Sequence, residues 1–171
     1  MQPRYSFVTH WQLKAPLQEV WDALYNSMEC PQWWRGVYSV TEIQKNNAEG
    51  INGKRKYTWK SFLPYSLSFT LQLTEIEPLK RLKGIASGEL EGTGEWFFSE
   101  RNGIVHVQYN WDVVTHKKWM NKFSFLLRPI FSFNHNVVMH WGGKGTGKKA
   151  RHNILKRITT LPVVFGTIIA R

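Results

Sequence analysis

The chain has 171 residues, 42% apolar and 15% aromatic, which is enough apolar mass for one packed domain and excludes a disordered chain. Its one cysteine, Cys30, excludes an internal disulfide and fits a reducing, cytoplasmic setting. The net charge of +11 is uneven: residues 1–112 hold 12 Lys/Arg and 12 Asp/Glu, whereas residues 113–171 hold 11 Lys/Arg and no acid, so an anionic partner would meet the last third of the chain.

The opening residues carry no basic segment followed by an apolar run, so no secretory leader is expected. Residues 4–13 alternate, with Tyr5, Phe7, Trp11 and Leu13 on one face and Ser6, His10 and Gln12 on the other. That is a strand with one wet face. Ala15-Pro16 breaks it, and Pro16 opens a helix whose apolar side is Val20, Trp21 and Leu24. A second short helical piece, PQWWRG, follows Cys30 and closes at Gly36. Strands come next. VYSVTEIQ (37–44) alternates and ends in the turn residues Asn46-Asn47 and Glu49-Gly50. KRKYTWKSF (54–62) follows. Tyr65, Leu67, Phe69, Leu71 and Leu73 then alternate with polar neighbours in the cleanest period-two run of the chain, which Pro78 ends. RLKGIASGEL (81–90) and GTGEWFFSER (92–101) read as two more strands. Asn102-Gly103 signals a two-residue hairpin. IVHVQYNWDVVTH (104–116) closes the series, with Val105, Val107, Tyr109, Trp111 and Val113 on one face. Short turns between successive strands imply antiparallel pairing.

From Trp119 to Trp141 the period changes to 3.6. Trp119, Phe123, Leu126, Leu127, Ile130, Val137 and Trp141 fall on one stripe of a long helix, with Asn134 in its middle. Pro129 predicts a kink or break near Arg128. After Trp141 the chain is Gly-rich and then basic (GGKGTGKKARHNILKR), and residues 158–170 are apolar. That last stretch is too short to cross a bilayer, which needs about 20 residues, and no other run approaches that length.

Several of these pieces resemble the SRPBCC superfamily, the START-like helix-grip proteins, and most closely its polyketide cyclase/dehydrase-type members. They are the first strand leading into APLQEVWDAL, then CPQWWRGV, LTEIEPLKRLKGIASGELEGTGEW, NGIVHVQYNWDVVTHKKWM and LLRPIFSFNHNVVMHWG. Together they cover residues 4–145, and RPIFSFNHNVVM is the most specific. The resemblance implies an α+β helix-grip fold: a curved antiparallel sheet of about seven strands around a long C-terminal helix, two short helices after the first strand, and an apolar cavity between sheet and helix. It also implies lipid, isoprenoid or polyketide ligands and, in some members, aromatic ring cyclisation. The tail departs from the family pattern. Residues 1–145 are therefore read as the ligand-binding domain and 146–171 as a basic, then apolar, extension.

Chemical motifs are sparse. Gly142 to Lys148 matches the first seven positions of a phosphate-binding loop, but Lys149 stands where that loop needs Ser or Thr, and no acid follows Asp112 to hold Mg²⁺. The six histidines lack zinc-like spacing, and His135 and His140 would lie about 140° apart on a helix. No metal or cofactor is expected. Cys30 has no His and acid partner identifiable in sequence. Glu95 and Asp112 are acids near aromatics, but strand parity turns Asp112 away from Trp111. Aromatic residues lie in the neutral region rather than among the basic ones, which speaks against nucleic acid. Residues expected to line the cavity are Trp34, Phe69, Trp96, Tyr109, Trp111, Phe123, Ile130 and Asn134, with His135 beside them. The Asn134 amide would meet either a ligand carbonyl or hydroxyl or a strand group. The expected function is binding of a small hydrophobic molecule, with cyclase or dehydrase activity left open. The competing reading is a non-enzymatic interaction module that uses residues 144–171 against an anionic membrane surface.

Overall fold

Period-two alternation becomes seven strands. The computed structural model describes residues 4–61, 64–116 and 124–160, with the side chains of the last segment described over residues 130–152. The order is β1 (Arg4–Leu13), α1 (Leu17–Tyr25), a 3-10 turn (Ser27–Glu29), α2 (Cys30–Trp33), β2 (Val37–Gln44), β3 (Lys54–Lys60), β4 (Ser66–Glu77), β5 (Arg81–Gly88), β6 (Leu90–Arg101), β7 (Ile104–Thr115) and α3 (Ser124–Thr160). The strand ends fall within a few residues of the sequence expectation, whereas the long helix, expected to end at Trp141, runs on to Thr160.

The strands form one antiparallel sheet in the order β1-β7-β6-β5-β4-β3-β2. Short turns leave each strand from β2 onward beside the next. β1, carried off by α1 and α2, returns to the free edge of β7 and pairs with it from Arg4↔Val114 to Leu13↔Val105. Asn102 and Gly103 both take positive φ, 52° and 72°, the twist that a two-residue hairpin loop requires. Register shifts after Val37, Glu42 and Leu73 break the ladders, and such irregularities bend a sheet. The inward row of β7 is Val105, Val107, Tyr109, Trp111 and Val113, all buried, as the alternation predicts.

α3 packs on α1, α2 and β1, and here two expectations are corrected. The helix runs on through Pro129 without the predicted break. Proline at the sixth position of a helix removes only one amide hydrogen bond, and the turn before it needs none. The buried stripe is also rotated by one residue, roughly 100°. Phe131, Val138 and Gly142 are buried, not Ile130, Val137 and Trp141. Ile130 is 42% exposed and is not among the residues lining the two cavities described below. Trp141 lies beside α2 with the Arg35 guanidinium 4.6 Å above its ring, a cation–π contact.

The Gly-rich segment does not end the helix either. A methyl group on Gly142 would meet the Trp34 ring at 2.4 Å, and one on Gly145 would meet the Trp33 carbonyl oxygen at 2.2 Å. The helix backbone lies against the α2 tryptophans here, and only a bare Cα fits. Trp34 Nε1 donates to the Val138 carbonyl (2.9 Å), and Lys149 pairs with Glu29 (2.6 Å). Residues 142–148 are thus helix interior, with no phosphate-cradling loop.

Candidate functional site

Strand parity turns a row of rings toward α3: Phe69 on β4, Tyr109 and Trp111 on β7, Tyr5 and Phe7 on β1. The amino half of α3 does not fill the space above them. A cavity of about 110 Å³ remains, roofed by Phe131, Asn134, His135 and Val138, with Lys60, Ser61 and Tyr65 among its other lining residues. Phe131 meets Tyr5 edge-on (5.7 Å between centroids) and Tyr65 likewise (6.3 Å).

The polar groups are few. Asn134 Oδ1 and Trp59 Nε1 are both buried without a hydrogen-bond partner, and both residues line the cavity. One is an acceptor and the other a donor. His135 stacks on Phe7 at 4.1 Å with 11° between the planes, and its Nε2 lies 3.3 Å from the Thr9 hydroxyl. It therefore meets the side chains of β1. Burial pulls its pKa down to about 4, so the imidazole is neutral near pH 7. Burial pushes Tyr65 up to about 12 and raises Tyr109 as well, so both phenols keep their protons. No carboxylate lines this cavity among the described residues. Asp112 faces the other side of the sheet, bonded to Arg4 and Ser6, and Glu95 pairs with Arg81 at 2.8 Å.

A second cavity, about 90 Å³, lies beyond a wall of four rings that line both: Trp59, Phe69, Tyr109 and Trp111. Trp34 and Trp96 line this second space with Cys30, Arg55 and Tyr57. Trp96 stacks on Tyr109 at 3.9 Å, and Phe69 tilts against Trp111 at 5.6 Å. Burial drives the Cys30 thiol up to about 12, which removes it as a nucleophile.

Of the residues expected to line one cavity, Phe69, Tyr109, Trp111, Asn134 and His135 come together in the first. Trp34 and Trp96 line the second. Phe123 lies outside the described residues. Tyr5, Phe7, Trp59 and Phe131 were missed as lining residues. Parity had already put Tyr5 and Phe7 on the right face of β1, whereas Phe131 needed the correct helix phase.

No protein-family model and no curated protein matches the chain. Solved structures do. An aromatase/cyclase, ZhuI from Streptomyces sp. R1128, superposes with a TM-score of 0.73 over 89% of this chain and 96% of its own, at 10% identity. A START superfamily protein from Mycobacterium smegmatis gives 0.68 over 86% and 98%, at 8% identity. The di-domain aromatase/cyclase BexL gives 0.70 at 15% identity over 86% of this chain, which spans 50% of the di-domain chain. The fold is therefore that of the SRPBCC, START-like helix-grip proteins: a seven-stranded antiparallel sheet, a long C-terminal helix, and short helices after the first strand.

Proposed function

We propose that the chain binds a small, mostly apolar molecule between its sheet and the amino half of α3, and that this molecule carries at least one hydrogen-bond donor and one acceptor. The observation that carries this reading is the pair of unpartnered buried groups, Asn134 Oδ1 and Trp59 Nε1. A buried polar atom without a partner costs about 1–3 kcal/mol. Two of them on one apolar cavity are well matched to an occupant that satisfies both. Apolar burial supplies most of the affinity, and the two polar groups fix orientation. ZhuI and the START superfamily protein share the fold, which fits an internal site, while the chemistry of the occupant is read from these residues alone.

Size constrains the occupant. Drug-sized sites run to about 300–1,000 Å³, and the two adjoining cavities, about 110 and 90 Å³, are well below that. A fused aromatic of two rings is nearer the scale, and anything longer needs the four-ring wall to part. Catalysis is the weaker reading. Among the described residues no carboxylate lines the first cavity, and its neutral imidazole, held well below its ordinary pKa, is a poor base near pH 7.

Calorimetry with 1-naphthol and naphthalene tests this. Both are flat and apolar, and only 1-naphthol donates a hydrogen bond. Binding of 1-naphthol is expected in the wild type and about tenfold weaker binding in Asn134→Leu, the worth of one buried hydrogen bond. Naphthalene should not show that loss. If neither compound binds the wild type, or Asn134→Leu binds 1-naphthol as well as the wild type does, the reading is wrong.

A further inference from the structure

The second cavity holds a feature that an apolar binding site does not need. β3 turns Arg55, Tyr57 and Trp59 toward the concave side, opposite Leu71, Phe69 and Leu67 of β4. Arg55 is half-buried and lines the cavity. Its Nη1 donates to the Tyr25 carbonyl (3.2 Å) and to Ser27 Oγ (2.9 Å). Ser27 Oγ also accepts from Tyr57 Oη at 2.7 Å. The Tyr57 side chain hydrogen-bonds the Arg55 guanidinium as well, so the partners that hold this cation are all neutral. No described ion pair includes Arg55. Its cross-strand neighbour Glu42 is exposed. Lys83, which also lines this cavity, is already paired with Glu75 at 2.8 Å. Asn46 and Tyr25, joined at 3.5 Å, add further donors nearby.

A partly buried cation without a counter-charge is costly and is ordinarily paired. A guanidinium that lines a cavity, is held in place by neutral partners and has no described ion pair offers the planar donor set that a carboxylate fits with two parallel hydrogen bonds. We propose that the second cavity is a subsite for the carboxylate of an amphiphilic ligand, with Arg55 as its recognition residue. The inference rests on the binding function above and deepens it: the head sits at Arg55, the apolar part lies along the wall of Trp59, Phe69, Tyr109 and Trp111, and the far end points toward Asn134. The wall is common to both cavities, so one elongated molecule spans them once the rings part.

Titration calorimetry with octanoate and 1-octanol, equal in chain length and different in charge, tests the subsite. In the wild type octanoate is expected to bind about tenfold more tightly than 1-octanol or better, the range of a charge-assisted pair. In Arg55→Gln that preference should vanish. Arg55→Lys keeps the charge without the fork and should retain part of it, which supplies the test if Arg55→Gln does not fold. Equal binding of the two compounds by the wild type, or a preference that survives both substitutions, overturns the subsite. If 1-naphthol binds while octanoate shows no preference, only the subsite is lost. If none of the three compounds binds, the cavity reading goes with it.

Discussion

The two halves of α3 do opposite things with the same geometry. From Phe131 to Val138 the helix carries bulky or polar side chains toward the sheet, yet it leaves about 110 Å³ empty beneath them. From Gly142 to Ala150 it carries almost no side chain inward and leaves no comparable gap, because Trp11, Trp33 and Trp34 come up to meet the bare backbone. Large residues on the helix hold it off the sheet, and small ones let it down. The carboxyl half is thus a clamp that fixes where the amino half hangs, and the cavity is a consequence of that suspension. Protein interiors are ordinarily close-packed, and a void bounded by unpartnered polar atoms fits the occupant proposed above.

The sharpest way to break the contrast is to put side chain into the clamp. Gly145→Ala places a methyl 2.2 Å from the Trp33 carbonyl oxygen. That oxygen is backbone and cannot swing aside, so α2 or α3 must shift. A loss of about 3 kcal/mol is expected, at the upper end for overpacking and well beyond the roughly 1 kcal/mol that alanine adds to helix propensity. Denaturant unfolding gives the number. Because the clamp sets the height of the roof, 1-naphthol affinity should fall with it.

The amino half should respond to pH instead. The His135 pKa is lowered to about 4 from 6.5, so between those values the unfolded chain binds more protons than the folded one. Stability due to this group is intact above pH 6.5 and is lost as pH falls toward 4. The full shift corresponds to roughly 3 kcal/mol. His135→Gln should flatten the stability curve in that window relative to wild type. A variant curve with the same slope would show that other groups carry the acid sensitivity.

The same contrast explains what could be read in advance. Every strand was legible because alternation is a two-residue signal and turn residues such as Asn102-Gly103 punctuate it. Parity alone then placed Phe69, Tyr109 and Trp111 on the cavity side and Asp112 on the other. Asn134 stood out as an amide in an apolar stripe. The helix phase was not legible, because it was set on the largest apolar residues, Ile130, Val137 and Trp141. The contact actually runs through Gly142, Gly143, Gly145 and Thr146, whose smallness signals burial only once the opposing tryptophans are known. Arg55 was hidden for a related reason. In KRKYTWK it looks like one more solvated cation, and nothing local says that the sheet turns it inward against Ser27.

Gly147 offers the smallest effect and the finest test of the clamp. It belongs to the same Gly-rich run as Gly142, Gly143 and Gly145, and sequence alone does not set it apart. A methyl group there would meet only Leu13 Cδ2, at 3.5 Å, an ordinary van der Waals distance. Nothing then opposes the conformational cost that glycine carries in a helix, so Gly147→Ala should stabilise the fold by about 0.5–1 kcal/mol. The same substitution two residues earlier should do the reverse. If both glycines gained stability as alanine, close approach to α2 would not be what holds α3, and the cavity would need another explanation for its height. If both lost it, the close contact would extend at least two residues, about half a turn, beyond Gly145. Opposite signs from one chemical change, measured in a single denaturation series, locate the end of the clamp to within two residues.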